Sequence, residues 1–116
     1  MYAQLTYFDG PRTPEQLAAA DFAGRERVVP ALQKLGHPIR TYRLRRDDGA
    51  EVVVTIAEGE RALLDAQKAI MSTELLPGEN PALLPGPDRI ELYPVIGILD
   101  AGSGSEKEQE TARDGN

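Results

Sequence analysis

Residues that favour β-strands recur in three stretches of the chain, at 2–8, 39–57 and 89–99. The first stretch alternates between two sets of side chains, with the period of two that a strand requires. The second predicts a hairpin, because its halves flank Asp47-Asp48-Gly49 and glycine adopts the positive φ of a tight turn. The third predicts the last strand. Pro94 has no amide proton and therefore places that strand at a sheet edge, at a bulge or at a change of partner.

A helix is predicted after the first strand, where the chain reads Thr-Pro-Glu-Gln from Thr13. Thr13 is the expected N-cap, and Gln16 closes a capping box around the first turn. Apolar positions then recur every three or four residues and form one stripe, made of Leu17, Ala20, Gly24, Val28, Leu32 and Leu35. Pro30 removes a backbone donor within this pattern, so we expect a kink at 26–30, and Gly36 is expected to end the helix.

A second helix is predicted at 58–73. Its inner face is shallow and alanine-rich, and the positions that define it are Leu63, Ala66 and Ile70. Residues 74–88 repeat the tripeptide Leu-Pro-Gly and are expected to form a loop. Residues 101–116 carry no large apolar side chain and cannot offset the entropy cost of ordering, so we expect a disordered acidic tail there. One domain is therefore predicted, at 1–100.

The register of the hairpin follows from its cross-strand pairs. A three-residue loop sets Arg45 against Glu51 and apolar side chains against each other, whereas a two-residue loop sets Arg45 against Val52. Each pair contributes roughly 0.2–1 kcal/mol, so the three-residue loop is preferred. One face of the hairpin then carries an apolar set, Tyr42, Leu44, Val52, Val54 and Ile56. The other face carries Thr41, Arg43, Arg45, Glu51, Val53 and Thr55. We expect the apolar face to meet the helices and the arginine-bearing face to meet a partner subunit.

The composition argues against several classes of site. The chain of 116 residues has no cysteine and one histidine, which removes disulfides, thiolate chemistry, iron–sulfur clusters and a self-contained transition-metal site. A carboxylate-only ion site stays open, although Asp47-Asp48-Gly49 lacks the further carboxylates of a calcium loop. The formal net charge of −6 repels a nucleic-acid backbone. We find no secretory signal or membrane-spanning stretch, so we expect a cytoplasmic protein that binds neither nucleic acid nor membrane and holds no metal.

The elements follow the order strand, helix, strand, strand, helix, strand. With right-handed crossovers, this order predicts an α+β, ferredoxin-like βαββαβ fold, in which a four-stranded antiparallel sheet carries two helices on one face. The other face includes Val53, Tyr93 and Val95 and is too apolar to be left in water. A second copy of the chain would cover it. We therefore expect a homodimer.

In these features the chain resembles the dimeric α+β barrel superfamily, in particular the antibiotic biosynthesis monooxygenase-like proteins. The resemblance spans residues 2–99 and includes RERVVPAL in the first helix, then TYRLRR, the turn and VVVTIA. It implies a cavity between sheet and helices and, in some members, oxidation of polyketide-type aromatics by O₂ without metal or flavin. No cofactor is expected here. Other members degrade haem, an activity that is disfavoured because the chain has no tryptophan and no histidine in its second helix.

Three residues are candidates for a functional site. His37 is the only histidine of the chain and is a weak candidate for a catalytic base, and the competing interpretation is a solvent-facing turn residue. Tyr7 and Tyr42 are weak candidates for ligand binding, since a tyrosine ring stacks on an aromatic ligand while its hydroxyl forms a hydrogen bond. Core packing is the alternative for both. The arginines of the hairpin also suggest an anion site, but strand alternation divides them between two faces.

Two hypotheses about function follow. The first is a cofactor-independent monooxygenase-like protein that acts on or binds a small apolar or aromatic molecule between sheet and helices, with the 74–88 loop as a lid. The second is a non-catalytic dimeric module that binds a ligand or another protein. Neither the asparagine, tryptophan and arginine set of the cofactor-free enzymes nor a haem-binding histidine has a match in this chain. A closed or featureless cavity would favour the second hypothesis.

Overall fold

A computed structural model describes residues 1–102 and shows an α+β architecture. Four strands form one antiparallel sheet: β1 (Tyr2–Phe8), β2 (Ile39–Arg45), β3 (Glu51–Ala57) and β4 (Arg89–Pro94). Their spatial order is β2-β3-β1-β4, so β2 and β4 are the two edges. This arrangement is compatible with a ferredoxin-like fold. All but two residues of the tail predicted at 101–116 lie outside the described part of the chain.

The first helical region consists of three consecutive segments: α1 (Pro14–Ala23), a π-helical segment (Gly24–Val28) and α2 (Val29–Gln33). Thr13 caps α1, and the reciprocal hydrogen bonds with Gln16 that form the predicted capping box are present at 2.9 and 3.1 Å. The helix changes to a π-helical form at Gly24–Val28, which overlaps the kink predicted at 26–30. Pro30 occupies the first turn of α2, where its missing amide proton costs little. Gly36 takes a φ of +72° after the helix, as expected.

The second predicted helix is α3 (Glu60–Met71), which packs on β1 and β3. Its Leu63 and Ala66 are buried, so the inner face is as predicted. The helix is shorter than the predicted 58–73 because Gly59 is the N-cap residue in an extended conformation. Between α3 and β4 the chain is irregular, as expected, apart from a 3₁₀ turn at Pro81–Leu83.

The hairpin has the predicted register. Arg45 lies opposite Glu51, and the apolar pairs Leu44–Val52 and Tyr42–Val54 follow along the ladder. The amide of Arg46 donates to the Ala50 carbonyl at 2.8 Å and closes the three-residue loop, in which Gly49 has a φ of +93°. The glycine is required there because a side chain at this φ would be strained.

The prediction that the apolar face of the hairpin meets the helices is wrong. Glu51 and Ala57 are the buried residues of β3. Arg43 and Arg45 share the face of Glu51, and their guanidinium groups reach Asp21 of α1 at 3.0 and 2.8 Å. The helices therefore cover the more polar face. This is physically tolerable because the carboxylate of Glu51 is fully paired, as described below.

The last strand is shorter than the predicted 89–99 and ends at Pro94. The amide of Val95 still donates to the Met1 carbonyl at 2.8 Å, but no backbone hydrogen bond joins residues 96–100 to the rest of the described chain. Residues 95–100 are called the C-terminal arm below. Its side chains Ile96 and Leu99 are 100% and 99% exposed. Within residues 1–102, the arm has no strand partner.

Candidate functional site

The face of the sheet that points away from the helices is rich in apolar side chains. Paired residues of an antiparallel ladder point to the same side, so the register assigns this face directly. Its apolar members, which we call the open face, are Ala3, Leu5, Tyr7, Tyr42, Leu44, Val52, Val54, Ile56 and Tyr93. Tyr42, Leu44 and Tyr93 are 46%, 55% and 50% exposed. A continuous apolar patch of this kind is typical of an interaction surface.

A polar cluster lies on the open face at the β4 edge. The guanidinium carbon of Arg89 is 3.8 Å from the centroid of the Tyr7 ring, and Arg89 also binds the Asp9 carboxylate at 2.9 Å. Burial, together with the hydrogen bond to Glu91, raises the pKa of Tyr7, and Arg89 opposes this shift. The Tyr7 hydroxyl is therefore protonated at neutral pH. It serves as a hydrogen-bond donor rather than as a base.

A hollow of about 410 Å³ lies at the hairpin end of the open face. Its lining combines the apolar side chains Tyr7, Leu44 and Val52 with six charged residues, Asp9, Arg45, Arg46, Asp48, Glu51 and Arg89. Arg89 is already paired with Asp9, and Arg45 with Asp21 and Glu51, which leaves Arg46 as the guanidinium best placed to bind a ligand. A small-molecule site usually combines apolar surface with a few polar groups, and a guanidinium pairs well with an anionic or phenolic oxygen. The hollow can therefore accept a small aromatic molecule that carries an oxygen substituent.

The carboxylate of Glu51 is the centre of a buried ion network beneath the helices. Its side chain is 3% exposed and accepts hydrogen bonds from Arg12 at 2.8 Å, Arg43 at 2.8 Å and Arg45 at 2.9 Å. Burial by itself raises the pKa of Glu51, but hydrogen bonds and charge from Arg43 and Arg45 outweigh it, and the pKa is lower than usual. Glu51 is therefore ionised at neutral pH and has a structural role.

Arg12 connects this network to the hairpin turn. Its backbone amide donates to the Asp48 carbonyl at 2.9 Å, and its Nε donates to the Gly49 carbonyl at 2.8 Å. A Cβ added at Gly49 would lie 3.0 Å from the backbone nitrogen of Arg12, so the close approach requires glycine. Sequence reasoning missed Arg12, which is 39 residues from Glu51, because no local pattern marks such a distant ion pair.

The structure does not bring the three predicted site residues together. His37 is on the surface beside α3, with Nε2 3.5 Å from Asp65 Oδ2, and both side chains are about 40% exposed. Tyr7 and Tyr42 are on the open face, so the prediction that they line a cavity between sheet and helices is wrong in its location. The carboxylate beside His37 is the partner that a general base needs, but a role in catalysis stays a prediction.

A second hollow, of about 480 Å³, separates α1 from the 74–88 loop. It is mainly apolar, and its apolar lining is formed by Ala18, Ala19, Phe22, Pro77, Leu83 and Leu84. The π-helical segment directs Arg27 to the loop, where its guanidinium donates to Glu79 at 2.8 Å and to the Thr73 hydroxyl at 2.7 Å. Glu79 also accepts from the Leu76 amide, which is the first cause of its lowered pKa, followed by Arg27. The predicted lid is thus anchored in this structure.

Two comparisons with known proteins found no match. No family model matches the chain, and no curated protein matches it. The resemblance to the monooxygenase-like superfamily therefore stays a prediction. Within residues 1–102, no three His, Asp or Glu side chains are grouped so that they could hold a metal ion, and none of the helices has the length and apolarity to cross a membrane.

Proposed function

We propose that this chain is a homodimeric binding module in which the open faces of two copies pack together and enclose a small apolar or aromatic molecule. The open face is the observation that carries the proposal. Its apolar side chains lie on all four strands, whereas the helices occupy the opposite side. Two sheets pack about 10 Å apart with their apolar side chains interdigitated, so a second copy is a matching cover. The assembly would be a dimeric α+β barrel.

The dimensions of the open face suit such an interface. At about 4.8 Å per strand and 3.3 Å per residue, the sheet face measures roughly 19 Å by 23 Å. A standard interface buries about 800 Å² on each partner, so the face supplies much of this area and the C-terminal arm supplies more. Arg89 and Glu91 lie at the β4 edge and would form part of a polar rim around an apolar centre.

The proposed ligand site is the hollow at the hairpin end of the open face. A second copy would cover its open side and exclude water from Tyr7, Leu44 and Val52. The Tyr7 ring would then stack on an aromatic body, and its hydroxyl oxygen would accept a hydrogen bond from a hydroxyl group of the ligand, since its own proton is donated to Glu91. Arg46 would favour a phenolic or carboxylate oxygen over a purely apolar molecule, whereas Arg89 is already paired with Asp9.

Sedimentation equilibrium tests the proposed assembly. We expect a mass of about twice 12.6 kDa at micromolar concentration, because the apolar open face is not stable in water. A mass of 12.6 kDa throughout the concentration series would contradict the proposal.

A second candidate function is cofactor-independent oxygenation of an aromatic substrate on the open face beside Tyr7. The specific observation is the Glu91 carboxylate at the Tyr7 hydroxyl, since Glu91 would accept the proton of a hydroxylated ring that replaces this hydroxyl as its hydrogen-bond donor. Oxygen uptake with a panel of anthrones and quinols tests it. We expect uptake above background that Glu91→Gln and Tyr7→Phe each reduce by at least about tenfold, within the range for acid–base catalysis. Uptake that is equal to background for every substrate would leave binding as the function.

A further inference from the structure

We infer that the C-terminal arm leaves its own subunit and adds a strand to the outer edge of β2 in a second copy of the chain. This inference rests on the proposed homodimer and goes beyond it, because packing of the open faces alone would leave the arm in water. The arm and the β2 edge are the donor and the acceptor of a reciprocal exchange.

The arm has the properties of a strand without a partner. It reads Val95-Ile96-Gly97-Ile98-Leu99-Asp100, and three of its large side chains, Ile96, Ile98 and Leu99, are 100%, 67% and 99% exposed. Its amides beyond Val95 make no backbone hydrogen bond within the described chain. β-branched and aliphatic side chains next to unpaired backbone groups are the features of a segment that binds by strand addition.

The sheet offers two edges, and β2 suits the arm better than β4. β2 has seven residues without proline or glycine, whereas β4 ends in Pro94, which cannot donate to a ladder. Tyr42 and Leu44 of β2 are half exposed and would pack against the aliphatic side chains of an added strand. An unprotected edge of this length is also a site of non-specific pairing, which an added strand would prevent.

The exchange of arms gives an assembly that ends at two copies. Each copy has one arm and one β2 edge, so two copies related by a two-fold axis satisfy both arms and both edges. The exchange joins directly onto the proposed interface of the open faces, since Tyr42 and Leu44 belong to both.

Disulfide trapping in the full chain tests this inference, because the natural sequence contains no cysteine. One protein carries Ile98→Cys, and the second carries either Thr41→Cys or Tyr42→Cys, which face opposite sides of β2. Matched controls carry Glu91→Cys or Leu92→Cys, which face opposite sides of β4. After mixing, subunit exchange and mild oxidation, we expect the arm–β2 product to exceed the arm–β4 product by at least fivefold.

Hydrogen exchange gives a second readout that does not depend on the position of a cysteine. The double substitution Ile96→Asp and Leu99→Asp is expected to speed exchange of β2 amides at least tenfold, whereas Leu64→Asp on the exposed side of α3 leaves them unchanged. A dimer without preferential arm–β2 trapping, or with equal trapping at β4 or between two arms, would overturn the arm exchange and leave the proposed function intact. A monomeric wild-type protein would overturn both.

Discussion

Replacement of Glu51 by alanine is expected to lower the free energy of unfolding by about 3 kcal/mol, because it leaves the guanidinium groups of Arg12, Arg43 and Arg45 without their shared carboxylate. Loss of one partner of a buried ion pair typically costs about 3–5 kcal/mol. We expect the lower end of this range, since the side chains of Arg43 and Arg45 are 42% and 30% exposed and water compensates part of the loss. Urea denaturation at neutral pH measures the change.

Two variants show whether the effect arises from the buried charge. Glu51→Gln keeps most of the volume and one acceptor, so a loss between that of alanine and the wild type is expected. Asp9→Asn removes an ion pair with Arg89 in which both side chains are more than half exposed, and it should cost no more than about 1 kcal/mol. An equal loss in Asp9→Asn and Glu51→Ala would contradict the structural role of Glu51.

The same ion network makes the free energy of unfolding depend on pH in the acid range. The pKa of Asp21 is lowered, chiefly by its hydrogen bond from Arg45, and the pKa of Glu51 is lowered as described above. In the unfolded chain both groups return to their ordinary pKa, so at acid pH the unfolded state binds more protons than the folded state. The stabilisation is therefore complete above the ordinary carboxyl range and is lost as pH falls through the lowered folded values. Glu51→Gln should show a smaller decrease in stability over this range.

Replacement of Val54 by lysine is expected to dissociate the proposed dimer. Val54 lies between Leu5 and Tyr42 at the centre of the open face. In a monomer the lysine stem would cover its apolar neighbours while the ammonium group reaches water. In a dimer the ammonium group would be desolvated without a counter-ion, at a cost of several kcal/mol, so we expect a dissociation constant higher by about a hundredfold or more. Sedimentation velocity measures the shift.

Leu64→Lys is the matched control for this experiment. Leu64 is a 45% exposed aliphatic residue on α3, on the side of the sheet opposite to the open face. The Leu64→Lys variant therefore replaces an exposed aliphatic side chain by lysine without a change to the proposed interface. The dimer should persist in this variant. Both variants should retain the circular dichroism of the wild type. A dimeric Val54→Lys protein, or a monomer in both variants, would contradict packing through the open face.

Much of the local structure was predictable because its causes are close together in the chain. The capping box depends on Thr13 and Gln16, and Pro30 lies directly after the π-helical segment. The hairpin register depends on Gly49 and on pairs such as Arg45 with Glu51. In each case residues a few positions apart decide between a small number of backbone conformations.

The candidate site was less predictable. Alternation separated the two faces of the hairpin correctly but did not show which face the helices cover. Ion pairs of Arg43 and Arg45 with Asp21, more than twenty positions away, stabilise the arginine-bearing face under α1 and leave Tyr42 on the open face. Rules that relate residues close together in the chain do not predict which face of the hairpin the helices cover.

By itself the sequence determined the strands, the helices, the turn and the register, since hydrophobic period, capping and glycine conformation act over short distances. Tertiary structure alone decided which sheet face is covered, where Tyr7 and Tyr42 lie and where the last strand ends. Those outcomes depend on contacts such as Arg12 with Glu51, in which distant residues satisfy a buried charge. Because the helices cover the side of the sheet that holds this paired charge, the apolar side carries no helix.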